Sequence, residues 1–148
     1  MIRTILAIAV VALIPAAARA QDACSLLTPD QIKAVLNSTV EAGQPGLVKD
    51  SNECTWSDDR GVDRVFLALR PGADFQKART NIAKAGGHPT PVTGVGEDAF
   101  FLSSDESAAL YVLAKNHFIL LTVTLPDGTQ QTNQTAEKAL ATQILPKL

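Results

Sequence analysis

The sequence predicts an α+β fold, a single antiparallel β-sheet packed with about three helices. The longest apolar run beyond the N-terminal twenty residues extends from Ala108 to Leu125 and is interrupted at Lys115–His117. Its arms, about Ala109–Ala114 and Phe118–Leu125, are rich in β-branched and aromatic residues, and asparagine tolerates the left-handed backbone of a tight turn. A second hairpin and three segments of helical periodicity complete the pattern, with no clear parallel crossover.

The first helix is predicted to begin at Thr28 and to end near Asn37. Thr28 can cap the first turn, Pro29 suits the first helical position, and Gln31 can return a bond to the cap. The inward side chains of this short helix are Ile32, Val35 and Leu36.

The second hairpin is predicted to join strands at Glu53–Ser57 and Val62–Leu69 through a turn at Asp58–Gly61. Both segments alternate between apolar and polar residues, which is the pattern of half-buried strands. A turn is predicted at Gly43–Gly46, and an extra strand can follow the first helix.

The middle helix is predicted from apolar residues at helical spacing that end at Gly86, namely Phe75, Ala78, Ile82 and Ala85. Its outer face carries Lys77, Arg79 and Lys84. This pattern favours a solvated face over an anion site, and we expect these three cations to be dispensable for stability.

The remaining chain is predicted to run as an extended linker at His88–Pro91, a strand after Gly94–Gly96, the central hairpin and a closing helix. The closing helix is indicated by Ala136, Ala139, Leu140 and Ile144. The predicted order is therefore α-β-β-α-β-β-β-α.

Residues 1–20 have the pattern of a secretory signal peptide. Arg3 precedes an apolar core too short for a spanning helix, and Ala18 and Ala20 suit signal peptidase. Cleavage before Gln21 would leave residues 21–148 as one α+β domain without a membrane span. Lipidation at Cys24 is the alternative, but Gln21 and Asp22 do not fit a lipoprotein site.

Charge argues against some classes of partner. Without Arg3 and Arg19, 11 Lys and Arg remain against 15 Asp and Glu, which gives a net charge of about −4. The absence of like-charge blocks in the sequence argues against nucleic acid or an anionic membrane surface as the partner.

The two cysteines, Cys24 and Cys54, are expected to form a disulfide, because export places them in an oxidising compartment. A metal pair would need nearby histidines, and a redox pair would need C-x-x-C spacing.

Three segments carry a family resemblance: Cys24–Ile32 (CSLLTPDQI), Cys54–Trp56 (CTW) and Gly94–Phe101 (GVGEDAFF). They resemble an uncharacterised family of small exported bacterial proteins and lipoproteins that begin Cys-Ser-Leu-Leu-Thr. That family is similar to the extracellular sensor domain of certain receptor serine/threonine kinases and to the PsbP-like fold. The resemblance implies an envelope location and a binding or sensing role, and it transfers no catalytic residue.

No motif assigns a catalytic, cofactor-binding or metal-binding residue, and no cofactor is predicted. Gly94–Gly96 precedes a strand, whereas phosphate loops open a helix. Glu97 and Asp98 are adjacent on an extended chain and so point to opposite faces. His88 and His117 lack carboxylates at ligand spacing and are predicted to lie in turns.

Strand alternation predicts one aliphatic sheet face and a second face that is apolar and aromatic. The second face is either covered by a helix, which we favour, or open as a groove. In the open case Trp56, Phe66 and Tyr111 are predicted to line a binding surface.

The sequence therefore favours an exported, periplasmic or secreted, non-enzymatic module that binds or senses a protein, peptide or small ligand in the cell envelope. A small periplasmic enzyme whose site is not recognisable from sequence is the alternative. A pocket uniting His88 or His117 with Glu97, Asp98 or Asp105 would favour the enzyme.

Overall fold

The computed structural model describes residues 21–105 and 107–148, and the predicted signal peptide lies outside these residues. Within the described residues, three α-helices and seven strands form an α+β fold, which confirms the predicted fold class. The helices are α1 (Pro29–Leu36), α2 (Asp74–Lys84) and α3 (Gln130–Ile144). The strands are β1 (Gln44–Pro45), β2 (Glu53–Ser57), β3 (Asp63–Pro71), β4 (Thr90–Val92), β5 (Asp98–Ser103), β6 (Ala108–Ala114) and β7 (His117–Val123).

All seven strands belong to one sheet in the order β1-β2-β3-β7-β6-β5-β4, and every neighbouring pair is antiparallel. The sheet consists of two meanders, β1 to β3 and β4 to β7, that meet where β3 pairs with β7. The longest strand, β3, therefore lies near the middle of the sheet, and the shortest strands, β1 and β4, form its edges.

The edge strand β1 is the extra strand that can follow the first helix, although its residues lie in the predicted turn, whereas β4 differs from the sequence prediction. Gln44–Pro45 pairs with β2, where a turn was predicted, and Thr90–Val92 pairs with β5, where an extended linker was predicted. Pro45 and Pro91 lack an N–H group, and proline is tolerated in a sheet mainly at its edges. The sequence signal of these strands is weak because each is short and contains proline.

The central hairpin is confirmed, with a two-residue loop at Lys115–Asn116. Both loop residues have positive φ, 47° and 64°, as the tight turns of two-residue hairpins require. His117, predicted to lie in the turn, is instead the first residue of β7.

Local signals at the start of α1 act as predicted. The Thr28 side chain accepts a hydrogen bond from the Gln31 backbone N–H, and the Gln31 side chain accepts one from the Thr28 backbone N–H. Asn37 ends the helix with φ of 51°, a left-handed conformation that asparagine tolerates.

The sheet has a helix layer on each face. One face, here called the α1/α3 face, packs against α1 and α3 and forms the larger core. All nine residues predicted for the aliphatic face belong to this core: Val65, Leu67, Leu69, Leu110, Val112, Ile119, Leu121, Val123 and, partly buried, Leu125. The opposite face, here called the α2 face, packs against α2.

Cys24 and Cys54 form a disulfide, with their Cα atoms 5.0 Å apart. The bond joins the turn before α1 to β2 and lies at the margin of the larger core. The predicted pairing is confirmed, and the bond fastens the N-terminal segment to the sheet.

The turn between β2 and β3 is organised by the buried carboxylate of Asp58. Asp58 accepts hydrogen bonds from the backbone N–H groups of Val62 and Arg60 and from the guanidinium of Arg64. The Val62 N–H holds the pKa of Asp58 well below its usual range, and both arginines contribute to this shift. This network satisfies a charge that would otherwise be costly to bury.

Candidate binding surface

The α2 face contains an aromatic cluster that α2 covers in part. Phe75 of α2 is fully buried, and its ring centroid lies 5.4 Å from Phe100 and 5.7 Å from Phe118. The sequence left this face either covered by a helix or open as a groove. The structure shows that α2 covers it over β5 and β7. The covered part is a second, smaller core.

Tyr111 lies within this cluster. Its ring stacks on Phe100 with centroids 4.6 Å apart and an interplanar angle of 12°, and it lies 5.9 Å from Phe118. Burial raises the pKa of the Tyr111 hydroxyl, and the charge of Arg70 opposes this effect. Tyr111 is partly buried and packs mainly as a structural residue, with one side left towards solvent.

Arg79 does not lie on a solvated face, contrary to the prediction. Its guanidinium lies 5.1 Å from the ring centroid of Phe75 and 4.8 Å from that of Phe100, and it forms an ion pair with Asp98. The helical spacing of α2 is as predicted, but a long side chain at its flank reaches the sheet. Lys77 and Lys84 are exposed, as expected.

The rest of the α2 face, towards β2 and β3, is only partly covered. Phe66 is partly exposed and is a diagonal neighbour of Leu120, since β3 pairs with β7 through Phe66–Thr122 and Ala68–Leu120. Beside them lies a groove of about 380 Å³. Its lining residues are Arg70, Asp74, Lys77, Ala78, Asn81, Phe118 and Leu120. The groove therefore has an apolar floor and a charged rim.

Trp56 is not part of this surface, contrary to the prediction. It pairs with Val65, which belongs to the α1/α3 face, and it is 0% exposed. Gly43 packs so closely on the indole that a Cβ there would approach it to 2.8 Å. Of the three predicted residues, the structure places Phe66 and Tyr111 on one face and Trp56 on the other.

A second cavity, of about 550 Å³, lies at the end of the sheet where β2 begins and β3 ends. Its lining residues are Gln21, Asp50, Ser51, Asn52, Glu53, Leu69, Arg70, Pro71, Asp74, Asn116 and His117. Arg70 and Asp74 also line the groove on the α2 face. The ion pair between Arg70 and Glu53, at 3.0 Å, stands at their common boundary.

The histidines and carboxylates considered as candidate chemistry do not meet in one cavity. His117 lines the second cavity, and His88 is exposed in the segment before β4. The Glu97 carboxylate accepts a hydrogen bond from the Lys115 backbone N–H at 2.7 Å, whereas Asp98 binds Arg79. The two adjacent carboxylates thus have different partners, as expected for an extended chain.

Glu137 is a buried carboxyl group that the sequence analysis did not single out. It is 0% exposed, and its Oε1 accepts a hydrogen bond from the Val123 backbone N–H at 3.1 Å, while Oε2 has no partner in the part of the chain that the structure describes. Burial raises its pKa to about 8. Glu137 precedes Leu140 by three residues and Ile144 by seven, and residues at this spacing lie on one face of a helix. The sequence therefore contained a signal that Glu137 belongs to the buried face of α3.

Residues 21–105 and 107–148 contain no cluster of three or more His, Cys, Asp and Glu side chains suited to a metal ion. Within the same residues, no helix combines the length and apolar character needed to cross a bilayer.

Comparison with known proteins does not place the chain in a family. No family model matches it, and no curated protein matches it. A solved structure described as a GTP binding regulator from Thermotoga maritima aligns with 81% of this chain and 89% of its own, at 12% identity and a TM-score of 0.43. At that identity and TM-score the likeness supports no conclusion about function.

Proposed function

We propose that this protein is an exported, non-enzymatic binding module of the cell envelope, and that it binds through the uncovered part of the α2 face. One observation carries the binding surface: the partly exposed ring of Phe66 beside a groove of about 380 Å³ with Phe118 and Leu120 as its floor. Grooves with an apolar floor and a polar rim are common sites for ligands and partners.

The partner contributes an apolar group to this groove. Phe118 and Leu120 offer apolar area. The rim cations Arg70 and Lys77 lie beside Asp74, and Arg70 is paired with Glu53, so the rim does not favour one sign of charge on the partner. The partner is thus a protein, peptide or small ligand that inserts an apolar group.

Export is supported by the pattern of residues 1–20 and by the disulfide between Cys24 and Cys54, since such bonds persist in oxidising compartments. The resemblance to small exported envelope proteins and to kinase sensor domains agrees with this location. The test is the mass of the full-length product recovered from a bacterial periplasm. Gln21 as the first residue supports export, whereas an uncleaved product that stays in the cytoplasm contradicts it.

The binding surface is tested with anilinonaphthalene sulfonate, which joins an aromatic body to an anionic group. The expected result is a set of amide shift changes around Phe66, Phe118 and Leu120, reduced on the order of tenfold in affinity by Phe66→Ala.

Leu47→Ala is the matched control, because Leu47 is a large apolar side chain that is 103% exposed on a loop and does not line the groove. Shift changes that follow Leu47 instead of Phe66, or that are absent, contradict the proposed surface.

A further inference from the structure

Leu47 and Val48 form an exposed apolar tip on the loop of residues 46–52, between β1 and β2. Leu47 is 103% exposed and Val48 is 69% exposed, so the rest of the described chain leaves both side chains largely uncovered. Single exposed apolar side chains are ordinary on a protein surface, but two adjacent ones at the end of a loop offer apolar area that a partner can cover.

Backbone hydrogen bonds hold this apolar tip in a defined shape. The Gly46 N–H donates to the Glu53 carbonyl oxygen at 3.0 Å, and the Ser51 N–H donates to the Val48 carbonyl oxygen at 3.0 Å. Leu47 and Val48 therefore project from a closed turn. Such a turn loses little conformational freedom when a partner covers it, and this favours binding.

The apolar tip and the groove on the α2 face adjoin each other. Arg70 and Asp74 line both the groove and the second cavity, and Asp50 of the loop lines that cavity as well. Because the apolar tip and the groove are close neighbours, two copies related by a twofold axis can exchange them reciprocally. Each copy then covers the apolar tip of the other, and the assembly closes as a dimer.

The charges beside the apolar tip match those at the rim of the groove. Lys49 and Asp50 follow the tip, and Asp74 and Lys77 lie one turn apart at the start of α2, so each side carries both signs. Within residues 21–105 and 107–148, none of these four groups takes part in an ion pair. The α-amino group that the proposed cleavage creates belongs to Gln21, which lines the second cavity and not the groove. Lys49 is thus matched with Asp74, and Asp50 with Lys77.

We propose that the partner at the groove is a second copy of this chain, with the apolar tip of each copy packed on Phe118 and Leu120 of the other and Lys49 paired with Asp74. This inference rests on the proposed binding surface and names its partner. The two contacts are small, so the dimer is weak, with a Kd in the high micromolar range. The groove is therefore free in dilute solution, where the dye is tested.

Sedimentation velocity of the disulfide-bonded protein at increasing concentration measures the association. The expected result is a shift from monomer to dimer, which the Leu47→Ala/Val48→Ala variant weakens by at least on the order of tenfold. Val62→Ala is the matched control, because Val62 is also an exposed apolar side chain and lies in the turn at the other end of β2. This control is expected to associate as the wild type does.

Exchange of charge between two variants tests whether the apolar tip meets the groove. Lys49→Glu alone and Asp74→Lys alone each place like charges at both contacts, and each is expected to remain monomeric. A mixture of the two variants brings opposite charges together at both contacts and is expected to restore a dimer with one copy of each. Restored association also shows that both variants are folded, and circular dichroism checks each one alone.

The proposal is overturned by a protein that stays monomeric at millimolar concentration, by a dimer that persists in the Leu47→Ala/Val48→Ala variant, or by mixed charge variants that do not associate. Binding of phosphatidylcholine vesicles through the apolar tip by a monomer also overturns it and assigns the tip to a lipid surface. Dye shifts around Phe66 in a protein that does not dimerise leave the binding surface in place and remove only this partner. Absence of those dye shifts contradicts the surface itself.

Discussion

Arg79 and Asp98 form a two-point ion pair that joins α2 to the start of β5. The Arg79 Nη1 and Nη2 atoms donate to the two Asp98 oxygens at 2.9 and 2.8 Å. Hydrogen bonding from Arg79 lowers the pKa of Asp98. Because the same guanidinium lies against Phe75 and Phe100, one side chain holds the helix to the sheet by charge and by packing.

Replacing Arg79 by Gln is expected to lower the free energy of unfolding by about 1 to 2 kcal/mol, the sum of a part-exposed ion pair and a cation–π contact. Urea denaturation monitored by circular dichroism measures the change. The double variant Lys77→Gln/Lys84→Gln removes two exposed charges from the same helix and should remain near the wild-type midpoint. An Arg79→Gln variant as stable as this control would show that the contacts contribute nothing.

Removal of the disulfide by the Cys24→Ser/Cys54→Ser double variant is expected to cost about 3.5 to 4 kcal/mol in the chain-entropy model. The estimate follows from the 30-residue separation of the two cysteines. Thermal melts of oxidised wild type, reduced wild type and the double variant give the comparison. Mass spectrometry with thiol alkylation confirms the redox state of each sample, and equal melting temperatures would contradict the predicted contribution.

Glu137→Gln is expected to stabilise the protein at alkaline pH and to leave it nearly unchanged at acidic pH. The pKa of Glu137 is raised from its ordinary 4.5 to about 8, so the folded state retains a proton that the unfolded state loses as pH rises between these values. Wild-type stability therefore falls over this window, by on the order of 4 kcal/mol in total, and the Gln variant lacks this loss.

Denaturation at several values between pH 4.5 and 8 tests this expectation. A stability difference that grows with pH supports the buried neutral carboxyl. A difference that stays constant with pH would mean that Glu137 is charged in the folded state.

Leu121→Ala is expected to destabilise the protein far more than Phe66→Ala. Leu121 is 0% exposed at the centre of the larger core, and leucine truncations at such sites cost about 3 to 5 kcal/mol. Phe66 is partly exposed, and its truncation should cost about 1 to 2 kcal/mol. Urea midpoints compare the two variants, and equal losses would mean that Phe66 is a core residue and not a surface available to a partner.

Elements with strong local signals could be predicted from the sequence. The Thr28 cap and Pro29 define the start of α1, and the alternation of β2 and β3 agrees closely with the strands in the structure. These signals come from interactions between residues that are only a few positions apart in the sequence. The position of β1 and the existence of β4 could not be predicted in this way, because two or three residues that include a proline become a strand only when a neighbour pairs with them.

At the binding surface too, the sequence determined the local arrangement of side chains, and the pairing of strands determined the rest. The sequence by itself determined that Cys54 and Trp56 share one face of β2 and that Phe66 lies on the opposite face of β3 from Val65, because side chains alternate along a strand. It did not determine which face of β2 adjoins which face of β3. The register that places Trp56 opposite Val65 decides this, and a shift of one residue would have brought Trp56 beside Phe66. Register depends on pairing between strands and on the bulge after Trp56, so the tertiary structure alone decided that the indole is buried in the core.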